Sequence, residues 1–379
     1  MTKRKYIHER ADWPDFMCVG ENFYEPLILL HRAQGRLFGK LDALGFNVQN
    51  ELLLSSVSEE VVTSSEIEGE SLNRSSVRYS VAKRLGLDTA GLSDVSTNHY
   101  TEGVVEMALD ATQNYNRPIT DERLFGWHSA LFPTGRSGIR QITVGGYRKD
   151  DISVVSGVVG KEKVHYKAPE PERIPDEMKR YLQWFEADHK TDPYVKSAIA
   201  HLWFECIHPF DDGNGRIGRA IVDLMLARAE DSPMRYYSLS SMLLKEQKAY
   251  YTELEIASGY IGDVDRWVVW FLGCLTRSIE SSEEKLETAK QKAVIFEKLR
   301  KIAMNDRQLS MLNRLIDGFE GKLTTEKWAK ICKCSHDTAL RDIDDLIKKG
   351  VLVRSTEGGR STSYERADHR NGDSSDKAT

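Results

Sequence analysis

A histidine, two aspartates, three glycines and two arginines fall within the twelve residues His208 to Arg219, the run HPFDDGNGRIGR. A neutral imidazole is a competent general base near physiological pH when the proton it takes lies within hydrogen-bond reach. Asp212 offers an oxygen ligand of the kind Mg²⁺ takes when it also binds phosphate oxygens. Gly213, Asn214 and Gly215 read as a turn in which positive φ costs little at both glycines, so that backbone N–H groups point one way. The helix expected next, through Ile217, Ala220, Ile221, Leu224 and Met225, adds the positive end of its dipole at the same place. Arg216 and Arg219, three apart, share a face of its first turn and both reach an anion held there. Taken singly, a histidine after a helix, a GNG turn and two helical arginines each have an ordinary structural explanation. Together they converge on one point and on one chemistry, the handling of phosphates.

Other elements must position this set. The apolar run Val195, Ala198, Ile199, Leu202, Trp203 and Cys206 leads into His208, and Pro209 stops it, so the imidazole is expected where a buried helix gives way to a loop. Phe210 is expected to plug into the core. Far upstream, between Glu51 and Gly69, Leu54, Val57, Val61, Ser64 and Glu68 are spaced three, four, three and four, a helical stripe that puts Glu68 on the buried side. A buried carboxylate is costly unless a cation pairs with it. The alternative is a stripe that ends at Val61, with Glu68 solvated and Gly69 as the C-terminal cap.

Between these stretches, Gly145-Gly146-Tyr147-Arg148 precedes two β-prone runs, Ile152 to Gly157 and Val164-His165-Tyr166, which read as a hairpin. An isolated hairpin has an unpaired edge that can hold an extended peptide by backbone hydrogen bonds, with Ile152, Val154 and Val155 as its contacts; packing on the helices is the other reading. His165 is expected to be an ordinary residue of this hairpin. Lys245 to Leu254 reads as a helix bearing Tyr250 and Tyr251, and aromatic residues in such a place are commonly core.

The run His208 to Arg219 resembles the signature of Fic domains, His-x-Phe-x-Asp/Glu-Gly-Asn-Gly-Arg-x-x-Arg, and matches it without a departure. Most Fic proteins are adenylyltransferases that move AMP from ATP to a hydroxyl side chain of a target protein. The resemblance implies that His208 is the catalytic base toward a Ser, Thr or Tyr, that Asp212 holds Mg²⁺, and that Gly213, Asn214 and Gly215 cradle the phosphates of ATP while Arg216 and Arg219 bind the phosphate chain. Such transfer needs mostly positioning and charge stabilisation, with one base for the nucleophile. Ser64-x-x-x-Glu68-Gly69 is similar to the inhibitory Fic motif, whose Glu pairs with the second arginine of the signature and blocks productive ATP binding; the resemblance therefore implies a Glu68 to Arg219 pair and an inhibitory helix within the chain. The hairpin resembles the Fic flap that positions the target. Tyr250 would line the adenine pocket; the Asn that many members carry eight residues later is Ser258 here. Removal of AMP with Glu68 positioning a water, and a regulator whose Fic core senses nucleotide, are the alternatives; the intact His208 favours transfer.

The fold expected is mainly α: a helical N-terminal region at 1–95, a Fic-type helical core at 96–276 with its β-hairpin flap at 142–168, a charged connector helix at 277–303, a small C-terminal winged helix-turn-helix domain at 304–366 and a disordered tail at 367–379. In the C-terminal domain, helices are expected at Asp306 to Gly318, Thr324 to Cys332 and Ser335 to Lys349, then Val351 to Val353, a Gly358-Gly359 turn and Ser363-Tyr364. Thr338-Ala339-x-Arg341-Asp342 resembles the recognition helix of bacterial regulators. Ser335 to Lys349 holds four acidic residues against three basic ones, poor equipment for phosphate contacts, whereas Arg354 and Arg360 in the wing favour DNA; protein contact and DNA binding both stay open.

Across 379 residues, 53 Lys and Arg against 58 Asp and Glu give a net charge of −5, so no global basic field points to nucleic acid or membrane. Five cysteines suit a reducing cytoplasm better than a disulfide framework, and Cys332 and Cys334 lack zinc-ligand spacing. The apolar run Trp267 to Leu275 is far below the ~20 residues of a membrane span, and no apolar signal segment opens the chain. A cytoplasmic protein is expected. The faces of the N-terminal helices allow a homodimer, which the family often forms.

Overall fold

Helices carry most of the chain in a computed structural model that describes residues 5–15, 23–87, 97–157, 163–187, 190–299, 302–316, 319, 321–355 and 362–367. The first helices are α1 (Tyr24–Asp42), α2 (Phe46–Ile67), α3 (Arg74–Arg84), α4 (His99–Gln113) and α5 (Asp121–Leu131). Two short antiparallel pairs follow, β1 (Arg136–Ser137) with β2 (Arg140–Gln141), and β3 (Ser153–Ser156) with β4 (Lys163–Lys167). Then come α6 (Ile174–Glu186), α7 (Pro193–Ile207), α8 (Asn214–Ala229), α9 (Leu239–Lys245), α10 (Gln247–Ala257) and α11 (Val264–Leu299). Side-chain oxygens of Asn73, Asn98, Thr120 and Asp192 accept from first-turn N–H groups of α3, α4, α5 and α7, which fixes where these helices begin.

The pattern of internal contacts divides the chain after Leu286 into two units. In the first, α7 has no polar face. Ala198, Leu202 and Cys206 pack with Leu30, Leu37, Trp267 and Phe271 on one side, while Ala200, Trp203, Phe204 and Ile207 pack with Val57, Val61, Tyr181 and Ile221 on the other. A helix that is apolar all round is a buried one, and this one delivers His208 from the centre of the unit. Helix α2 is anchored midway along. Glu60, 8% exposed, accepts from the Ser240 N–H at 3.0 Å, from Ser238 Oγ at 2.8 Å and from Ser240 Oγ, so its carboxylate holds α2 to the start of α9.

The connector expected as a separate helix at 277–303 is not separate. Helix α11 begins at Val264 and runs unbroken to Leu299, because no proline or helix-ending glycine lies near residue 277 to interrupt it.

The second unit holds α12 (Asp306–Ile316), α13 (Thr325–Ile331), α14 (His336–Lys348) and the antiparallel pair β5 (Leu352–Arg354) with β6 (Tyr364–Arg366). Its core is Met311, Leu312, Trp328, Ile343, Leu346, Leu352 and Tyr364 among others. One of the four acids of the α14 stretch is internal: Asp342, 5% exposed, takes Arg307 Nε at 2.8 Å and Asn305 Nδ2 at 2.9 Å. The Gly358-Gly359 turn, Arg360 and the expected tail from 368 onward lie outside the described residues. Cys206, Cys274, Cys332 and Cys334 are free thiols, and no described helix is long and apolar enough to cross a membrane.

Candidate active site

Helix α7 ends at Ile207 and passes the chain to His208 in the left-handed region, φ 52 and ψ 60. The imidazole Nδ1 lies 3.3 Å from the Glu205 carbonyl oxygen. A carbonyl only accepts, so Nδ1 carries the proton and Nε2 keeps its lone pair. Desolvation by the surrounding protein lowers the His208 pKa to about 4, which leaves the ring neutral at physiological pH.

The turn after His208 is fastened from three directions. Asn214 accepts the Phe210 N–H at 2.9 Å through Oδ1 and donates Nδ2 to the Phe210 carbonyl at 2.8 Å. The Phe210 ring is fully buried and stacked on His128 at 4.4 Å. Arg148, 2% exposed, donates to the carbonyls of His208 at 2.8 Å, Asp150 at 2.8 Å and Pro169 at 2.6 Å, joining this turn to the two ends of the hairpin. The Asn214 side chain is therefore spent on the loop itself, and what it offers a phosphate is only its N–H at the start of α8.

The two glycines differ from the expected pair of positive-φ turn residues. Gly213 does adopt φ +83, but Gly215 is already in the first turn of α8. What Gly215 needs is room: a methyl group there would collide with the Glu68 carboxylate and sit 3.1 Å from Arg219 Nη1.

The two arginines also part ways instead of sharing one anion. Arg216 donates to the Tyr100 hydroxyl at 2.7 Å, lies 3.3 Å from Asp212 Oδ1 and covers the Phe132 ring at 5.1 Å. Arg219, 3% exposed, donates Nε to Ser64 Oγ at 2.9 Å, and Nη2 both to the Ser64 carbonyl at 2.7 Å and to Glu68 Oε1 at 2.8 Å. Burial pulls the Arg219 pKa down, but the Glu68 charge and hydrogen bond together with Tyr250 and Glu205 outweigh it and the net shift is upward, so the guanidinium is fully charged.

Glu68 is not on the buried side of α2. The helix stops at Ile67, Glu68 is its C-cap and Gly69 follows at φ +79, so the carboxylate, 32% exposed, stands at the rim and reaches in to Arg219. The capping role of Gly69 and the pairing of Glu68, opposed as alternatives in the sequence, hold together.

Asp212 keeps its carboxylate 40% exposed, with Oδ1 accepting the Gly213 N–H at 2.5 Å and Oδ2 accepting from Ser137 Oγ. Among the described residues no group of three or more His, Cys, Asp or Glu is arranged to hold a metal. One accessible carboxylate fits a cation that draws its other oxygens from phosphates and water.

A cavity of about 710 Å³ is lined by His208, Gly215, Glu68, Glu205, Val154, Val155, Tyr250 and Tyr251 among others, a size suited to a small ligand. Of the ion pair, Glu68 lines it and Arg219 does not; Asp212, Gly213, Asn214, Arg216 and Ile152 do not line it either. Ile152 precedes β3, its carbonyl accepting the Ala168 N–H at 3.1 Å. Val154 and Val155 are 39% and 48% exposed.

Tyr250 stands at the cavity wall, 1% exposed, its hydroxyl 2.8 Å from His201 Nε2 and its ring packed on Trp267 and Trp270, so most of the ring belongs to the core. The open ring is Tyr251, 45% exposed, whose hydroxyl donates to the Ile67 carbonyl at 3.2 Å.

Sequence reasoning also missed Glu205. Burial first, then the nearby Glu68 charge, raises its pKa to about 8, and its Oε1 has no hydrogen-bond partner among the described residues. An acid set between Phe204 and Cys206 in an apolar run was the available signal.

Comparisons with known proteins agree with this geometry. Residues 118–226 match the Fic/DOC family, and residues 6–87 match a domain of unknown function, DUF4172. A probable protein adenylyltransferase of Aquifex aeolicus is 37% identical over 81 residues, 21% of this chain and 23% of that protein. Protein adenylyltransferase fic-1 of Caenorhabditis elegans is 33% identical over 101 residues, 26% of this chain and 18% of that protein. The chain thus spans less than a quarter of the length of these relatives. In fold, it is similar to a Fic family protein from Desulfovibrio desulfuricans G20, with TM-score 0.52 and 20% identity over 91% of this chain and 96% of that one. A Fic domain containing signaling protein from Bacteroides thetaiotaomicron gives TM-score 0.51 and 21% identity over 70% of this chain and 97% of that one. Residues 118–226, which hold the motif from His208 to Arg219, are therefore the part of the chain that matches the Fic/DOC family.

Proposed function

We propose that this chain is a protein adenylyltransferase, transferring AMP from ATP to a Ser, Thr or Tyr hydroxyl of a target protein, and that its own Glu68 restrains it. The observation that carries this reading is the occupation of Arg219 by Ser64 and Glu68 beside a neutral, correctly protonated His208. Similarity to proteins named protein adenylyltransferases supports the reaction class.

His208 Nε2 takes the proton of the target hydroxyl as its oxygen attacks the α-phosphorus and pyrophosphate leaves. First-turn N–H groups of α8 and the Arg216 guanidinium hold phosphate oxygens. Mg²⁺, held by Asp212 and the nucleotide, would supply charge neutralisation on the phosphates. The exposed β3 edge at Val154 and Val155 receives the target as an extended segment. While Glu68 holds Arg219, the guanidinium is withheld from the terminal phosphate of ATP. The carboxylate comes from the region that matches DUF4172, which makes that region the restraining part of the chain. In the second unit, Arg341, Lys348 and Lys349 balance Asp337, Asp344 and Asp345 along α14, a mixture suited to a protein surface more than to a phosphate backbone.

The test is incubation with labelled ATP and Mg²⁺ of wild type, Glu68→Gly and His208→Ala. Releasing a charge-assisted contact worth about 1.5–3 kcal/mol is expected to raise transfer by roughly 10- to 100-fold in Glu68→Gly. His208→Ala is expected to abolish labelling of an added target protein in either background. Labelling that is unchanged or lower in Glu68→Gly removes the inhibitory assignment, and labelling of the added protein that survives in His208→Ala removes the base.

A further inference from the structure

We propose that Ser156, on the flap strand β3, is an activated hydroxyl that itself accepts AMP, with His165 as its own base and Glu255 orienting that base. The donor rests on the adenylyltransferase reading; the activation of Ser156 does not.

The arrangement begins with an irregularity in the hairpin. Val154 pairs with Tyr166 and Val155 with Val164, so His165 is an extra residue on β4 with no opposite number on β3. Such a bulge re-aims a side chain, and bulges concentrate beside active sites. Here the ring is aimed between two partners. His165 Nε2 lies 2.6 Å from Ser156 Oγ, and its Nδ1 lies 2.7 Å from Glu255 Oε2 on α10. A carboxylate only accepts, so Nδ1 carries the ring proton of the neutral imidazole. Nε2 is then the acceptor and the Ser156 hydroxyl the donor. Nucleophile, imidazole and carboxylate stand in the order that activates a serine by general base, with the third group fixing the tautomer of the second.

A purely structural account covers only half of this. Tying the flap to α10 needs the His165 to Glu255 contact, which Lys163 Nζ already reinforces at 3.6 Å from Glu255 Oε1. The Ser156 to His165 bond joins two residues of the same hairpin and adds nothing to that tie. Ser156 is exposed, so water would satisfy its hydroxyl equally well. Ser156, His165 and Glu255 also line the same cavity as His208, Gly215 and Glu68, where the nucleotide of the proposed reaction would sit.

In the reaction, Ser156 Oγ forms a bond to the α-phosphorus of ATP as the bond from that phosphorus to the oxygen bridging the β-phosphate breaks. The hydroxyl proton passes to His165 Nε2, the Glu255 carboxylate balances the imidazolium, and pyrophosphate leaves. The product carries a nucleotide on the edge that Val154 and Val155 offer to a target, so the modification would limit access of other substrates.

The experiment uses the full chain carrying Glu68→Gly, incubated with Mg²⁺ and ATP, then digested and mapped by mass spectrometry. AMP is expected on Ser156, at an initial rate reduced about 100-fold or more in His165→Ala, the scale of a lost general base. AMP on other hydroxyls with Ser156 bare overturns the inference and leaves the transferase reading standing. AMP on no residue of this chain or of an added protein overturns the transferase reading, and the donor with it. Because His165→Ala also unties the flap, a second measurement uses the unmutated chain: a fluorophosphonate probe, which reacts with base-activated serines without nucleotide. It is expected to label Ser156, and its absence from Ser156 overturns the activation.

Discussion

The turn from His208 to Gly213 and the flap strand β3 meet at the same cavity, yet they are built on opposite terms. In the turn, Asn214 satisfies both backbone groups of Phe210, Arg148 occupies the His208 carbonyl, and Phe210 is sealed in the core. In β3, all four residues are exposed, and among the described residues the strand pairs with β4 alone. The difference separates two tasks. In the proposed reaction, atoms that would meet a phosphorus within fractions of an ångström are held by groups that cannot relax, whereas the surface that would meet a protein target stays open and cheap to alter.

The sharpest way to break this comparison is at the fastening of the turn. Arg148→Ala leaves three carbonyls without a charged donor and opens a hole, for an expected loss of about 3–5 kcal/mol, read as a fall in the denaturant midpoint. Arg148→Lys is expected to recover only part, since one ammonium does not span three directions. A variant that unfolds with the wild type would show that the turn is not held in this way.

A smaller and purely functional effect concerns proton supply. His208 would act as the proposed base in its neutral form, and its pKa is lowered to about 4, so transfer by the Glu68→Gly chain is expected to stay level down to about pH 5 and to fail as the pH drops through about 4. A limb near the ordinary histidine value of about 6.5 would mean that the ring stands in water, like the flap. The smallest effect on stability belongs to the flap itself. Val154→Lys and Val155→Lys are expected to change stability by less than about 0.5 kcal/mol while raising the KM for a protein target several-fold at unchanged kcat. Equal losses in kcat would place these valines with the chemistry and not with the docking edge.

The motif was legible because its chemistry demands near-neighbours in sequence: a base, a turn and a helix start. Its inner reasons were not. Gly215 looks like a turn residue but is a helical one, kept small by a carboxylate from residue 68, which no local pattern reveals. Glu68 was legible by resemblance and by its stripe, yet the stripe ends one residue early and leaves it at the rim. Tyr250 and Tyr251 both line the cavity, but no local pattern says that the first ring is sealed against Trp267 and the second left 45% exposed. Arg148 and the His165 to Glu255 contact join residues 60 and 90 positions apart, a distance at which sequence pattern says nothing of burial or partner. The second unit was legible from its breaks: Thr324 and Ser335 open helices by capping them, and Gly350 closes the last.

One consequence of Glu68 standing at the rim of α2 concerns time. Because Glu60 fixes the helix at α9 and Gly69 ends it, the carboxylate lets go of Arg219 by turning its own side chain, without any helix moving. Exposed side chains change rotamer in picoseconds to nanoseconds, and a contact worth about 2 kcal/mol slows this only by roughly thirtyfold. Turnover at about 1–1000 per second is far slower. Within one catalytic cycle the pair therefore opens and closes many times over. For the proposed enzyme, restraint of this kind would produce a steady, reduced rate from the first moment of mixing, with no lag and no burst as chains unlock.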